Sequence, residues 1–192
     1  MRKVVFDIET KNIFADVGKN DPALLDISVV GIHDSETDSY IAYTEEELGK
    51  LWPILEKTDL LIGYNSDHFD VPLLNKYYPG DLLKIRSLDI LKEIRNSIGR
   101  RVRLDSVASG TLGTNKSGHG LEATVWWRNG EIEKVKQYCL DDVKITKALY
   151  EYVLGNKKLH IKEGGTTIDI PLNFDQYLTT ESPVITYTLP FN

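Results

Sequence analysis

The stretch Val4-Val5-Phe6-Asp7-Ile8-Glu9-Thr10 places two carboxylates two residues apart within a short apolar run. In a β-strand successive side chains point to opposite faces, so Asp7 and Glu9 share one face and Phe6 and Ile8 the other. Two acids side by side on a buried strand repel each other and are costly to desolvate without a cation between them. Oxygen-only ligands suit Mg²⁺ or Mn²⁺. The alternative for this stretch alone is an edge strand with a solvated acidic face.

Length and composition indicate a soluble domain. The 192 residues fit one domain of generous size, and 41% hydrophobic residues are enough for a core. No apolar run approaches the roughly 20 residues of a membrane helix, and the N-terminus lacks the apolar stretch of a signal peptide. The single Cys139 excludes an internal disulfide, which suits a reducing cytosol. We therefore expect a cytoplasmic protein with no membrane partner.

Charge is distributed unevenly along the chain. The net charge of −6 argues against a protein that coats nucleic acid by bulk attraction. Segment 84–103 nevertheless carries seven basic residues against two acidic ones. It either contacts phosphates or forms a solvated helix face and turn. Similarly, Trp126 and Trp127 either stack on bases of a single strand or belong to the core.

Apolar runs predict a mixed sheet. After a polar loop over 11–22, residues 25–32 and 39–43 predict two more strands with a short turn between them, and hence an antiparallel meander. Thr44 followed by three glutamates predicts a capped helix that runs to Leu55. The continuous apolar run 59–64 predicts a buried strand, and the helix before it implies a parallel crossover.

The second half of the chain is mainly helical and ends in β structure. We expect a helix from about Asp70, a strand over 82–87, helices over 88–98 and 104–112, a loop over 114–120, a long helix over 131–154, a hairpin over 159–170 and a β-prone tail over 172–192. The predicted fold is a single α/β domain over residues 1–155, with about five strands and helices on both faces. Residues 156–192 are predicted to form a β extension packed on that domain.

The long helix carries two further polar groups on one face. Tyr138 and Asp142 are four residues apart and share a face, whereas Asp141 is turned about 100° away. Asp70 follows a predicted buried strand, at the carboxyl end where α/β sheets place their sites. Each residue alone has a simpler explanation, since such an acid often caps a helix and such a tyrosine often lies in the core.

Taken together, these residues resemble the three motifs of the DEDD superfamily of 3′→5′ exonucleases, which have the ribonuclease H-like fold. The first motif, D-x-E, corresponds to Asp7-Ile8-Glu9. The second corresponds to the stretch from Asn65 to Phe69-Asp70. The third, Y-x-x-x-D, corresponds to Tyr138 and Asp142 and indicates the tyrosine subclass, since the histidine subclass would need His where Gln137 stands.

The resemblance extends to two groups of proteins. The chain is similar to the proofreading domains of family B DNA polymerases. It is also similar to stand-alone predicted ribonuclease H-like exonucleases, in which a C-terminal strand pair of the type Gly-Gly-x-x-Ile-x-Ile-Pro follows the last helix; residues Leu159 to Leu172 resemble that extension. The second match is the looser one, and it favours a free-standing nuclease over a fragment of a polymerase.

The resemblance implies a two-metal site. By this resemblance Asp7 would bridge two Mg²⁺ or Mn²⁺ ions, Glu9 and Asp142 would hold the ion that activates water, and Asp70 would hold the second. A phenol, with an ordinary pKa near 10, is a poor base, so we expect the hydroxyl of Tyr138 to orient the water.

Three further residues are candidates for binding the substrate. Thr10, Asn65 and Phe69 are expected to contact the terminal nucleotide or its phosphate. Asn65 has an equally good alternative role, which is to cap the turn before the helix.

The predicted function is therefore a metal-dependent 3′→5′ exonuclease that acts on single-stranded nucleic-acid ends and releases nucleoside monophosphates. Two alternatives stay open: a structure-specific endonuclease on the same fold, and a non-catalytic module that binds nucleic acid. The sequence does not distinguish DNA from RNA, because that depends on contacts with the 2′-hydroxyl.

Overall fold

A mixed sheet lies at the centre of the computed structural model, which describes residues 1–114 and 120–179. Among these residues, five strands pair in the order β3-β2-β1-β4-β5. The first three pair antiparallel, whereas β4 runs parallel to both β1 and β5. The strands are β1 (Lys3–Thr10), β2 (Ile27–Asp34), β3 (Ser39–Thr44), β4 (Leu60–Gly63) and β5 (Arg86–Asp89). The predicted mixed α/β sheet is confirmed.

Helices cover both faces of this sheet. One buried cluster joins Val5 and Ile62 to the later helices, and a second joins Phe6 and Leu61 to the earlier ones. The helices are α1 (Phe14–Val17), α2 (Trp52–Leu55), α3 (Asp70–Asn75), α4 (Ile90–Ile98), α5 (Leu104–Leu112), α6 (Gly120–Arg128) and α7 (Ile132–Asn156). No helix in the described ranges combines the length and apolar character that a membrane crossing requires.

The segment before β4 differs from its prediction. The capping box at Thr44 forms, but it starts a 3-10 turn over Glu45–Lys50, and α2 is only four residues long. Pro53 lies in the first turn of α2 and has no N–H, so it cannot continue the hydrogen bonding of the preceding turn. The prediction of one continuous helix from Thr44 to Leu55 was therefore wrong.

The strand predicted over 82–87 is also displaced. Asp81 accepts a hydrogen bond from the N–H of Leu83 at 3.0 Å and starts a 3-10 turn over Leu82–Lys84, so β5 begins only at Arg86. The helix predicted from 88 begins at Ile90, after Asp89.

Other boundaries differ by smaller amounts or add an element. The helix α6, which contains both Trp126 and Trp127, was not predicted, and neither was α1 within the polar loop. The helix α7 runs two residues further than predicted.

Close packing places α7 on the sheet. A Cβ at Gly31 of β2 would lie 2.9 Å from Sγ of Cys139, so only glycine lets the helix approach this closely without a shift. Cys139 follows Tyr138 directly, and the approach at Gly31 therefore fixes how deep the motif on α7 sits against β1 and β2.

The predicted hairpin is confirmed as β6 (Lys158–Glu163) and β7 (Thr166–Pro171), which pair antiparallel. It packs on α5 at Gly110, where a Cβ would lie 2.3 Å from the carbonyl oxygen of His160. Thr111 Oγ1 also donates to that carbonyl at 3.0 Å. Residues 115–119 of the predicted loop and residues 180–192 of the predicted tail lie outside the described residues. The domain boundary at 155 stays a prediction.

Candidate active site

Three carboxylates from two distant parts of the chain meet at the junction of β1 and α7. One oxygen of each of Asp7, Glu9 and Asp142 lies within 4.8 Å of the others. Asp7 is half-buried, whereas Glu9 and Asp142 are only 8% and 4% exposed. We call this group the acidic trio. Like charges that lie this close together and are shielded from water favour a bound cation.

The thiol of Cys139 supports the first acid of the trio. Its Sγ donates to the carbonyl oxygen of Asp7 at 3.3 Å and lies 3.6 Å from Oδ2 of the same residue. Burial, followed by the negative charges of Asp7 and Glu9, raises the pKa of Cys139 well above its ordinary value. The thiol therefore stays protonated and acts as a donor that ties α7 to β1.

Asp70 lies at the start of α3 and is 4% exposed. The nearby backbone N–H groups of Asp70 and Ile8 favour the charged form. Burial and the nearby charge of Asp89 outweigh them and raise the pKa of Asp70 to about 8. Asp142 repels Asp70 as well, so the fourth acid is close enough to the trio to interact with it. A divalent cation would lower this pKa again.

One cavity of about 360 Å³ contains every site residue that the sequence predicted. They come from β1, from the loop after β4, from α3 and from α7. These are Asp7, Glu9, Thr10, Asn65, Phe69, Asp70, Tyr138 and Asp142. The structure therefore brings the predicted residues together, while their individual roles stay predictions. We call this cavity the acidic cavity.

An apolar wall forms part of the lining of the acidic cavity. Phe14 and Phe69 meet edge to face, with ring centroids 6.0 Å apart. Ile13 and Leu25 are further apolar residues of the lining. Such a wall suits the flat face of a base or the apolar face of a sugar, whereas the acids suit cations near a phosphate.

Asn65 is held in an unusual backbone conformation. Its φ of +67° is in the left-handed region, which asparagine tolerates better than most residues. Its N–H donates to Oδ1 of Asp89 at 2.8 Å, and its side-chain Oδ1 accepts a hydrogen bond of 2.6 Å from Arg101. Both proposed roles are compatible with this geometry, because Asn65 shapes the turn before α3 and also lines the cavity.

Thr10 and Tyr138 are both fixed by their neighbours. Thr10 Oγ1 donates to the carbonyl oxygen of Asn12 at 2.8 Å, and Thr124 Oγ1 donates to the carbonyl oxygen of Thr10 at 3.3 Å. The ring of Tyr138 meets the ring of Trp126 edge to face at 5.7 Å. Trp126 therefore packs against Tyr138, which agrees with the alternative that this tryptophan belongs to the core.

Sequence reasoning did not identify Phe14 or Thr124 as parts of the site, and it included Arg101 only in the basic segment 84–103, without its contact to Asn65. Phe14 is an apolar residue in a polar loop, which gives a weak signal. Thr124 and Arg101 lie 114 and 36 residues along the chain from Thr10 and Asn65, the residues they contact. No local pattern reveals contacts at such separations.

The donor set fits a hard divalent cation. The acidic trio offers only carboxylate oxygens, and Asp70 adds another carboxyl group in the same cavity. Mg²⁺ and Mn²⁺ prefer such ligands, whereas Zn²⁺ usually takes histidine or cysteine. The buried thiol of Cys139 is already bonded to Asp7.

The fold and the sequence together place the chain in a known class. A model of the RNase_H superfamily matches residues 4–154, and the chain belongs to that superfamily. No curated protein matches the sequence significantly.

Solved structures from two kinds of protein share the fold. One is a family B DNA polymerase from the hyperthermophilic archaeon Pyrobaculum calidifontis, with a TM-score of 0.61 and 20% identity; the match covers 80% of this chain and 24% of that one. The other is RNase D from Trypanosoma brucei, with a TM-score of 0.58 and 15% identity, covering 81% of this chain and 58% of that one. A GMP complex of the same RNase D has a TM-score of 0.58 and 16% identity, with 81% and 51% covered. The chain thus spans about a quarter of the polymerase and a little over half of RNase D.

Proposed function

We propose that this protein is a metal-dependent 3′→5′ exonuclease that hydrolyses phosphodiester bonds at single-stranded ends and releases nucleoside monophosphates. The observation that carries the proposal is the acidic cavity. It combines the acidic trio and Asp70 with an aromatic wall in one space of about 360 Å³. The motif resemblance, the RNase_H superfamily and the polymerase and RNase D folds support the same conclusion.

Each part of the cavity has a proposed task. Asp7, Glu9 and Asp142, with Asp70, would hold two Mg²⁺ or Mn²⁺ ions. When bound, such ions help to activate water and to stabilise the charge of the transition state and the leaving oxygen. The wall of Phe14 and Phe69 would take the terminal nucleotide and orient its phosphate toward the acids.

Tyr138 is proposed to position the attacking water. It lies on the same face of α7 as Asp142, and Trp126 holds its ring. A hydroxyl that is fixed in this way orients a water molecule through a hydrogen bond without removing its proton. Asn65, in the loop after β4, and Thr10, at the end of β1, would contact the terminal nucleotide.

The primary test is digestion of 5′-labelled single-stranded DNA and RNA in Mg²⁺ or Mn²⁺, with a matched reaction in EDTA. We expect a ladder that shortens by single nucleotides with metal and no shortening in EDTA. The released products should be nucleoside 5′-monophosphates, the class to which the GMP bound in one RNase D structure belongs. If no DNA or RNA is shortened in any metal, the proposal fails.

A circular single strand separates an exonuclease from an endonuclease, because an exonuclease has no end at which to start. We expect the circle to survive conditions that degrade its linear form completely. Cleavage of the circle would favour the endonuclease instead.

Asp7→Ala separates catalysis from binding alone. Removal of the proposed bridging ligand should lower the rate of shortening at least about 10³-fold while the unfolding midpoint changes little. Calorimetric titration with Mn²⁺ should show tight binding to the wild type and loss of that binding in the variant. A wild type without any Mn²⁺ site would instead favour a non-catalytic binding module. We also propose a cytoplasmic location, which fractionation of cells can test.

A further inference from the structure

A second cavity of about 340 Å³ adjoins the acidic cavity, and Asn65 lines both. It lies beside the N-terminal half of α4, at the edge of the sheet formed by β5. Its lining differs in charge from that of the acidic cavity, because three basic residues outnumber two acids. We call it the basic cavity, and its lining residues are Asn65, Asp67, His68, Asp89, Leu91, Lys92, Arg95 and Arg101.

The two acids of the basic cavity are already bonded within the fold. The buried carboxylate of Asp89 accepts backbone N–H bonds from Asn65 at 2.8 Å, Asp67 at 3.1 Å and Leu91 at 2.9 Å. Asp67 accepts from Ser87 Oγ at 2.6 Å and from Lys92 Nζ at 2.7 Å. Both carboxylates are therefore bonded to groups of the protein itself. Lys92 is also paired, because its ammonium group contacts Asp67.

Two arginines remain as charges that face the basic cavity. Arg101 donates to the neutral Oδ1 of Asn65 at 2.6 Å, and neither it nor Arg95 has an acidic partner in the described part of the chain. Other arginines nearby are paired: Arg100 with Glu163 at 2.6 Å, and Arg103 with Asp105 at 3.5 Å. The basic segment 84–103 is therefore divided, and only part of its charge is available to a ligand.

We propose that the basic cavity binds the sugar–phosphate backbone of the substrate strand on the 5′ side of the cleaved bond. Arg95 and Arg101 would contact the phosphates that follow the scissile phosphate toward the 5′ end. A phosphate is repelled by the acidic cavity until cations occupy it, whereas the basic cavity attracts phosphates by itself. Asn65, bonded to Arg101, lies where the strand passes from one cavity to the other.

This inference rests on the proposed exonuclease function, and the test separates the two. Binding of a 5′-fluorescent single-stranded decanucleotide is measured by anisotropy in EDTA, where no cleavage is expected. Arg95→Ala and Arg101→Ala should each weaken binding about three- to tenfold, and each should reduce the slope of log Kd against log salt by about one. Arg103→Ala is the matched control, since its side chain is paired with Asp105 and lies outside both cavities.

Kinetics in Mn²⁺ supply a second readout. The decanucleotide is compared with the p-nitrophenyl ester of thymidine 5′-monophosphate, which has one phosphodiester and no further phosphate on the 5′ side. The ratio of kcat/KM for the decanucleotide to kcat/KM for the ester should fall about three- to tenfold in Arg95→Ala and Arg101→Ala, mainly through KM. The ratio should be unchanged in Arg103→Ala.

Each outcome has a definite meaning. Variants that bind and cleave the decanucleotide as well as Arg103→Ala does would overturn the subsite. An Arg101→Ala variant that slows both substrates equally would overturn it too, because Arg101 would then act through Asn65 on the acidic cavity. If the wild type cleaves nothing but the two arginines still govern binding, the proposed function fails while the backbone subsite stands.

Discussion

Replacement of Asp70 by asparagine should make the metal-free protein more stable and should lower the proposed nuclease activity. The carboxyl of Asp70 is 4% exposed and repelled by Asp89 and Asp142, so ionising it costs free energy in the folded state. Asparagine has nearly the same shape and keeps an oxygen that can accept the N–H of Ile8. It removes the charge without leaving a cavity.

The magnitude follows from the difference between the folded and unfolded pKa of this one group. In the fold the pKa of Asp70 is raised to about 8, whereas the ordinary value is 3.8. At a pH between 3.8 and about 8, the folded state binds more protons than the unfolded state. The free energy of unfolding of the wild type therefore falls as pH rises through this range. Each pKa unit corresponds to about 1.4 kcal/mol, so we expect Asp70→Asn to be more stable on the order of 5 kcal/mol at pH 8 in EDTA. Near pH 4 the two proteins should be almost equally stable.

Urea unfolding at pH 5 and pH 8, in EDTA and in Mn²⁺, measures this effect. Mn²⁺ should stabilise the wild type, by about 2.7 kcal/mol at 100 times Kd, and should stabilise Asp70→Asn less. Asp141→Asn is the control, because Asp141 is on the solvent side of α7, with Lys144 Nζ 2.9 Å from its carboxylate. That variant should change stability by less than about 0.5 kcal/mol. An Asp70→Asn protein that is less stable than the wild type at pH 8 in EDTA would refute the reasoning.

Three further substitutions test other contacts. Gly31→Ala should lower the free energy of unfolding by about 1–3 kcal/mol in thermal unfolding, because its Cβ would lie 2.9 Å from the sulfur of Cys139. Adding Cys139→Ala should recover part of that loss. If the effects of the two substitutions were simply additive, the packing argument would be contradicted. Tyr138→Phe should lower kcat of shortening about 10- to 100-fold and leave Mn²⁺ affinity nearly unchanged; an equal loss of metal binding would rule out a role confined to orienting water. Asp34 is 1% exposed, and although burial opposes it, the hydrogen bonds from Arg2 and the backbone hold its pKa below the ordinary 3.8. Asp34→Asn should therefore lower the free energy of unfolding by about 1–3 kcal/mol at pH 7, and this difference from the wild type should shrink as pH falls below about 4. A difference that does not change with pH would show that the charge of Asp34 is not the cause.

The part of the site that lies on regular elements could be predicted from the sequence. Alternation along β1 put Asp7 and Glu9 on one face, and the four-residue spacing on α7 did the same for Tyr138 and Asp142. Both relations depend only on local backbone geometry. The order of the elements then limited the topology, since a helix between two buried strands implies a parallel crossover.

The rest depended on contacts between distant segments or on single residues that interrupt a pattern. Pro53 ended a helix that the capping signal of Thr44 had predicted, and the helix α6 around Trp126 has no strong start signal. The division of the basic segment was hidden too, because Glu163, the partner of Arg100, is 63 residues away. Composition shows how many charges a segment has, whereas only the fold shows which ones are paired.

The pairing between β1 and β4 is short, and this connects the proposed metal site to the backbone of the sheet. These strands are registered only from Lys3 with Leu60 to Val5 with Ile62. Further along β1, the backbone N–H of Ile8 is close enough to the carboxylate of Asp70 to favour its charged form. The carboxylate of Asp70 thus lies beside β1 beyond the point where the pairing with β4 ends. A cation bound by Asp70 would therefore also act on the backbone of β1. Amide hydrogen exchange at Ile8 should slow when Mn²⁺ binds, so this one backbone amide would report whether the proposed metal site is filled.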